Sequence, residues 1–231
     1  MSKLYFRYAA MNAGKSTALL QVAHNYEERG LRVLLFTAAH DHRAGTGQIG
    51  SRLGLVRSAA SFGPETEFVF EHLQALAEAE APAAAPGPGP AASNPHESST
   101  AGAPAAQPGR LACVLIDEAQ FLTPEQVRQL HRMAHGQHLP VICWGLRSDF
   151  QGVAFPGAAM LLTLADDLEE MKTICACARK ATMNIRLDGQ GQRVQQGEQV
   201  DIGGNDRYRA VCPGCFYADL ASGAVAPGWF G

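Results

Sequence analysis

A glycine-lysine-serine sequence at residues 14–16 constrains the fold of this chain more than any other feature. An apolar and aromatic run, residues 4–8, precedes it, and a helix-forming segment, residues 16–29, follows it. This strand–loop–helix order is typical of a phosphate-binding loop, in which backbone N–H groups surround an anion at a helix N-terminus. Lys15 would reach the β- and γ-phosphates of a nucleotide, and the Ser16 hydroxyl would hold Mg²⁺. The alternative is an ordinary helix that begins with a lysine.

The loop departs from the pattern G-x-x-x-x-G-K-[ST] at one position, because Ala9 stands where the first glycine is expected. Alanine tolerates positive φ poorly, so we expect an ordinary backbone conformation at this corner.

The composition of the 231 residues limits the function classes. A net charge of −3 gives no electrostatic argument for binding to DNA, RNA or an anionic membrane. No run approaches the roughly 18 apolar residues of a membrane-spanning helix, and the first residues do not resemble a secretion signal. We therefore expect a cytoplasmic protein whose six cysteines are thiols or metal ligands.

A second chemical signal is the pair Asp117 and Glu118, which ends the apolar run 111–116. Such a buried strand delivers carboxylates to its carboxyl end, which faces the nucleotide in P-loop proteins, and the aspartate there helps to hold Mg²⁺. A solvated turn is the alternative, and the phosphate-binding loop in the same chain disfavours it. Thr123 and Pro124 then predict the start of a helix that runs to residue 136.

Three further ordered segments are predicted: strands at residues 31–37 and 140–145, and a helix at 68–79. Residues 38–52 are expected to form a mobile loop with basic residues, at the sheet edge where open α/β sheets bind ligands. Within it, Arg43 is the candidate phosphate ligand, with a solvated loop charge as the alternative.

Residues 80–109 are mostly Ala, Pro, Gly and Ser, without a large apolar side chain. Because such a segment buries too little surface to offset its ordering entropy, it is expected to be a disordered insertion. A proline-rich recognition motif is the alternative, but no basic or aromatic anchor supports it.

Two close cysteine pairs near the C-terminus predict a metal site: Cys175 with Cys177, and Cys212 with Cys215. Four thiolates suit a tetrahedral structural Zn²⁺ site with no open position. Disulfides or free thiols are the alternative. The glycine- and charge-rich residues 187–208 lie between the pairs and are expected to form a long loop anchored by the metal.

In this order of motifs the chain resembles the zinc-bearing (type II) thymidine kinases. The five matching segments are residues 10–17, 117–122, 145–150, 172–181 and 197–208. The resemblance implies ATP-dependent phosphorylation of the thymidine 5′-hydroxyl, with Mg²⁺ and one structural zinc. It also implies a homotetramer inhibited by dTTP.

The resemblance also assigns site residues. The general base falls on Glu118, which agrees with the ability of a carboxylate near the γ-phosphate to accept a proton. Met11 and Phe150 would line the thymine pocket, Tyr208 would lie near the sugar, and a zinc-anchored loop, the lasso, would close over thymine mainly through backbone groups. The lasso residues are Gln199, Val200, Asp201, Ile202 and Gly203. The ATP-binding residues are Ala9, Ala10, Met11, Asn12, Ala13, Gly14, Lys15, Ser16, Asp117, Glu118, Ala119 and Gln120.

The expected fold class is α/β, with a P-loop (RecA-like) open parallel sheet, helices on both faces and a small C-terminal zinc-binding lasso domain. Residues 1–165 would form the nucleotide-binding domain, 166–220 the lasso domain and 221–231 a flexible tail. Three departures from the family are Ala119, where relatives often have Cys or Gly, Cys215, where some have His, and the insertion.

Two other function classes share some of these motifs. The acids 117–118 resemble the acidic box of nucleic-acid helicases. A helicase, however, needs a second motor domain and a basic channel, and this chain has neither the length nor the charge for them. A non-catalytic nucleotide sensor would need no base, so Glu118 argues against it. ATP turnover stimulated by thymidine, by single-stranded DNA or by neither would separate the three.

Overall fold

The computed structural model describes residues 2–41, 45–79, 110–200 and 207–222. The predictions for Arg43, the insertion at 80–109, the lasso residues Asp201, Ile202 and Gly203, and the end of the tail lie outside these ranges. The strands are β1 (Leu4–Tyr8), β2 (Arg32–Ala38), β3 (Gln48–Gly50), β4 (Val56–Ser58), β5 (Ala60–Phe62), β6 (Leu111–Ile116), β7 (Val141–Gly145), β8 (Asp167–Glu170), β9 (Thr173–Ile174), β10 (Lys180–Ala181), β11 (Met183–Leu187), β12 (Arg193–Val194) and β13 (Tyr208–Val211). The helices are α1 (Lys15–Glu27), α2 (Phe70–Ala79), α3 (Pro124–Gly136), α4 (Pro156–Leu164) and α5 (Pro213–Ser222).

A six-stranded sheet in the order β5-β2-β6-β7-β1-β8 forms the centre of the protein, and all its pairings are parallel. Its inner strands are nearly continuous apolar runs, as expected for strands covered on both faces. Phe6 of β1 and Ile116 of β6 both lie opposite Cys143 of β7. The loops that follow β1 and β6 therefore leave the sheet at the same edge.

Helices cover both faces of this sheet, which confirms the predicted α/β class. Neighbouring residues of β6 alternate between the faces: Leu115 packs in a cluster with Leu19 of α1, whereas Val114 packs in a cluster with residues of α2, α3 and α4. The α3 start is also as predicted. The Gln126 N–H donates to Thr123 Oγ1 (3.2 Å), and the Thr123 N–H donates to Gln126 Oε1 (2.8 Å).

Several elements differ from the sequence-based prediction. The expected loop at 38–52 contains β3, which pairs with β4 in an antiparallel hairpin, and β5 adds an edge strand to the sheet. Strands of three residues are too short to show a period of two. At the other edge, β8 pairs with β1, so the central sheet continues past residue 165. This strand is acidic and exposed, so the sequence carries no apolar signal for it. Its Glu169 carboxylate lies 3.1 Å from Arg7 Nε.

The C-terminal part forms a second, smaller unit. Strand β11 is the centre of a three-stranded sheet with β12 and β13, and β9 pairs with β10. The segment expected to be a continuous loop at 187–208 thus contains β12. Seven buried residues form the core of this unit: Cys175, Ala181, Ile185, Leu187, Val211, Cys212 and Phe216.

Across the described ranges, every helix is too short or too polar to cross a membrane.

Candidate active site

The loop between β1 and α1 has the form of an anion-binding turn. Gly14 caps α1 with φ 78°, and Asn12 also has a left-handed φ of 64°. Ala9 is not among the residues with positive φ, which confirms the ordinary conformation expected there. The Lys15 side chain is buried, and its Nζ donates to the Ala10 carbonyl at 3.2 Å. The loop therefore places a lysine at the N-terminus of α1, where the first N–H groups of a helix have no partner within the helix itself.

Ser16 and Asp117 bring the loop and the end of β6 together. The Ser16 hydroxyl donates to Asp117 Oδ2 at 2.7 Å, although the two residues are 101 positions apart. Asp117 is only 2% exposed, and its Oδ1 accepts the Glu118 N–H at 3.0 Å. A hydroxyl and a carboxylate in contact beside a phosphate loop are oxygen ligands of the kind that Mg²⁺ prefers. The two residues predicted to hold Mg²⁺ thus lie side by side.

Glu118 is held by a hydrogen-bonded neighbour. Its backbone is left-handed, with φ 53°, which is a strained conformation for a residue with a side chain. Gln120 Nε2 donates to Glu118 Oε2 at 2.6 Å, and Gln120 Oε1 accepts the Leu146 N–H at 3.0 Å. A Cβ at Gly145 would lie 2.8 Å from Gln120 Oε1, so only glycine leaves room for this amide. Gln120 therefore fixes the direction of the Glu118 carboxylate.

A cleft of about 800 Å³ lies over the loop. Glu118 lines it together with the phosphate loop, and the β3–β4 hairpin forms its other wall. Arg52 is the basic residue that the hairpin contributes to the cleft. The sequence predicted Arg43 as the phosphate ligand of this connection. The lining residues are Met11, Asn12, Ala13, Gly14, Lys15, Ser16, Thr17, Ala18, Gln21, Gly50, Ser51, Arg52, Leu53, Val56, Glu118 and Leu146.

Four further residues assigned to ATP are buried. Ala9 and Ala10 lie just after β1 and are about 4% and 3% exposed. Ala119 and Gln120 lie in a single 3-10 turn and have almost no exposed surface. These four residues are not among those that line the cleft.

Residues of the expected thymidine site meet at a turn after β7. Phe150 is 1% exposed, and its ring centroid lies 4.0 Å from the Arg186 guanidinium carbon, a cation–π contact. Gln199 Nε2 donates to Asp149 Oδ2 at 3.0 Å, and Arg186 Nη1 donates to the Glu198 carbonyl at 2.9 Å. These contacts connect the start of the lasso to the turn at 149–150.

The same turn is fixed internally, since Asp149 Oδ1 accepts the N–H groups of Gln151 (2.9 Å) and Val153 (2.8 Å). Beyond the Gln199–Asp149 contact, here called the latch, Val200 is 40% exposed, and Tyr208 is half-buried at the start of β13. The structure therefore brings Gln199 to the turn that carries Phe150, whereas Val200 stays exposed.

A further connection joins the small unit to the phosphate loop. Asn184 of β11 is buried, and its Oδ1 accepts the Met11 N–H at 2.8 Å. Sequence reasoning missed Asn184, Asp149 and Arg186, because their partners are distant in the chain and no local pattern marks them. Arg52 stood in a glycine-rich loop at the correct sheet edge, which was the only available signal for it.

The four cysteines predicted to bind zinc form one cluster. Their Sγ atoms all lie within 4.8 Å of one another, and Cys177 Sγ is 3.5 Å from Cys212 Sγ. Ala178, directly after the first pair, has a left-handed φ of 63°. The Arg179 backbone N–H, together with neighbouring thiols, lowers the pKa of the Cys177 thiol to about 7. Four thiols in this arrangement fit a tetrahedral Zn²⁺ ion.

Comparison with known proteins places these features in a family. A family model described as thymidine kinase matches residues 2–80 and 91–216. The thymidine kinase of Chromobacterium violaceum is 51% identical over 219 residues, covering 95% of this chain and 100% of that protein. That of Albidiferax ferrireducens is 52% identical over 221 residues, covering 96% of this chain and 95% of that protein. That of Idiomarina loihiensis is 50% identical over 212 residues, covering 92% and 94%. Because these matches extend over nearly the whole chain, it belongs to the thymidine kinase family.

Proposed function

We propose that this protein transfers the γ-phosphoryl group of ATP to the 5′-hydroxyl of thymidine and releases dTMP and ADP. Membership of the thymidine kinase family supports the reaction. The observation that carries the residue assignment is the 2.7 Å contact between Ser16 and Asp117, with Glu118 beside it in the same cleft.

ATP binds in this proposal at the phosphate loop and at the end of β6. Residues 9–16 surround the phosphates, with Lys15 as the cation, and residues 117–120 form the second wall. When bound, Mg²⁺ neutralises phosphate charge, and Ser16 and Asp117 are the residues that would hold it. Arg52 lines the cleft and adds a second cation. Arg43 remains a further proposed phosphate ligand on the same connection.

Glu118 acts as the general base. Its carboxylate accepts the proton of the 5′-hydroxyl as that oxygen bonds to the γ-phosphorus and the bond to the ADP oxygen breaks. The Gln120 amide donates to the Glu118 carboxylate at Oε2 and so holds it in one direction. Gln120 is therefore a positioning residue for the base.

Thymidine binds between the phosphate loop and the small unit. Met11 and Phe150 line the base pocket, the lasso residues 199–203 close over the base, and Tyr208 lies near the sugar. The contacts Gln199–Asp149 and Arg186–Glu198 support this placement, because they hold the lasso start against the turn that carries Phe150. A zinc ion at Cys175, Cys177, Cys212 and Cys215 would anchor both ends of the lasso segment without touching the chemistry.

Family membership also supports two regulatory expectations: a homotetramer, and inhibition by dTTP, which would occupy the thymidine and phosphate sites together. Size measurement in solution and inhibition kinetics with dTTP test them directly.

The proposed reaction is tested by ATP turnover with thymidine, with 5′-deoxythymidine or with single-stranded DNA. We expect turnover and dTMP only with thymidine, because 5′-deoxythymidine has the same base but lacks the attacking hydroxyl. Turnover stimulated by single-stranded DNA, or equal turnover in all arms, would contradict a thymidine kinase.

A further inference from the structure

A second group of metal-ligating side chains lies at the edge of the sheet opposite the active site. Within the described ranges, His131, His135 and Asp166 form the one such group besides the cysteines. Asp166 directly precedes β8, and its Oδ2 accepts the N–H of Leu4, the first residue of β1, at 2.8 Å. The phosphate loop follows the last residue of β1, so this group lies at the other ends of the same parallel strands.

The geometry of the two histidines is that of a helical chelate. His131 and His135 are four residues apart on α3, so they lie on one face of the helix. Their ring centroids are 4.7 Å apart. His135 Nε2 lies 3.1 Å from Asp166 Oδ2, and one ligand atom from each of the three residues lies within 4.8 Å of the others.

We propose that His131, His135 and Asp166 bind a divalent first-row transition metal ion, with Zn²⁺ as the representative case. Two imidazole nitrogens and one carboxylate oxygen suit Zn²⁺ or Ni²⁺, whereas Mg²⁺ and Ca²⁺ prefer oxygen ligands alone. With metal–ligand bonds of about 2.0–2.2 Å, the donor atoms must come within roughly 3–3.5 Å of one another. The exposed side chain of His135 can close this difference by rotation about its χ angles, while the Asp166 carboxylate keeps its position.

The surroundings of Asp166 support a ligand role. The Leu4 N–H holds the carboxylate in place, as outer-shell donors commonly do for metal-ligating carboxylates. An ion held by α3 and Asp166 would tie the last turns of that helix to the first residues of β1 and β8. Its effect would be on stability and would leave the chemistry at the opposite sheet edge unchanged.

The competing interpretation is a surface ion pair between His135 and Asp166. Such a pair would contribute little to the free energy of unfolding and would not involve His131. The chain offers a matched case of that kind: His24 Nε2 lies 3.2 Å from Glu28 Oε1 on α1. That pair combines one histidine with one carboxylate on a helix, and it belongs to no three-ligand group within the part of the chain that the structure describes. His24→Gln is therefore the control for a histidine–carboxylate contact alone.

The test is equilibrium dialysis of the untagged full chain against micromolar free Zn²⁺, followed by metal analysis. Parent protein and His24→Gln should each hold one more zinc ion per chain than His135→Gln or His131→Gln. This difference does not depend on the occupancy of the cysteine cluster or on kinase activity. Because loss of outer-shell partners alone weakens metal sites about 10–100-fold, loss of a ligand should weaken this site by at least about tenfold.

A second readout is the thermal unfolding midpoint with and without Zn²⁺. The midpoint of the parent should rise with added Zn²⁺ more than that of His135→Gln, while the two midpoints agree after chelation of loosely bound metal. Equal zinc contents in parent and His135→Gln, or equal midpoint shifts, would overturn the site and leave the ion pair as the explanation.

Discussion

The phosphate side and the nucleoside side of the proposed active site are built by different physical means. On the phosphate side, the loop follows β1 and Asp117 follows β6. Both strands pair with β7 in a sheet whose inner strands are buried on both faces. On the nucleoside side, the small unit has seven buried core residues, and two of them are cysteines of the proposed zinc site. Apolar burial is the main support of the first region, whereas the second has a small core and depends more on polar contacts and on the cysteine cluster.

This difference implies that the two substrates can be affected separately. The contacts Gln199–Asp149, Arg186–Glu198 and Asn184–Met11 connect the small unit to the sheet through hydrogen bonds. A single hydrogen bond contributes about 0.5–1.5 kcal/mol, so each contact is weak alone. Damage to the small unit should therefore reduce thymidine binding while leaving ATP binding in place.

The largest expected effect comes from Cys212→Ser, which removes one of the four thiols. Structural zinc contributes roughly 10–16 kcal/mol in small peptides, enough to decide whether such a unit folds. We expect zinc loss and no detectable thymidine binding, with ATP binding retained. Metal analysis and separate titrations of ATP and thymidine measure this.

Cys113→Ala is the matched control, because Cys113 is a buried thiol of β6 outside the cluster. It should keep its zinc and its thymidine binding. Equal loss of both ligands in Cys212→Ser would show that the two regions form one cooperative unit.

The next effect in size concerns chemistry on the phosphate side. Glu118→Gln keeps the shape of the side chain but removes the proposed base, so kcat should fall on the order of 10²–10⁴-fold. ATP and thymidine should still bind, as measured by titration. Near-parental turnover would mean that Glu118 is not the base.

A smaller effect is expected from Gln199→Ala, which breaks the contact with the Asp149 carboxylate. A hydrogen bond to a charged group contributes about 1.5–3 kcal/mol, and this partly exposed one should lie at the low end, so the KM for thymidine should rise about tenfold. The KM for ATP should not change. Gln190→Ala, at an exposed turn, serves as the control; a similar rise there would argue against a specific latch.

The smallest effect is expected from replacing residues 80–109 with a short Gly-Ser bridge between α2 and β6. The composition predicts no core contribution, and loop closure changes by only about 0.6 kcal/mol for each doubling of length. Activity and unfolding midpoint should stay close to those of the parent. An insoluble or inactive variant would show that the segment is structural.

Sequence patterns predicted the parts of the protein that depend on neighbours in the chain. The phosphate loop, the acids after β6, the capping box at Thr123 and the close cysteine pairs are all local signals. The short strands β3, β5 and β8 were missed, because three or four residues at a sheet edge carry no hydrophobic period. The contacts of Phe150 with Arg186 and of Gln120 with Leu146 join distant positions, and no single-sequence pattern identifies such pairs.

The left-handed backbone of Glu118 has a consequence for how this protein can be engineered. A non-glycine residue in that region costs about 1–3 kcal/mol, and glycine would remove the cost. Position 118 is therefore a site of trade-off: the most stable residue for the turn has no side chain, whereas the proposed reaction needs a carboxylate. A search for stabilising substitutions judged by thermal unfolding alone would favour glycine there and select inactive protein.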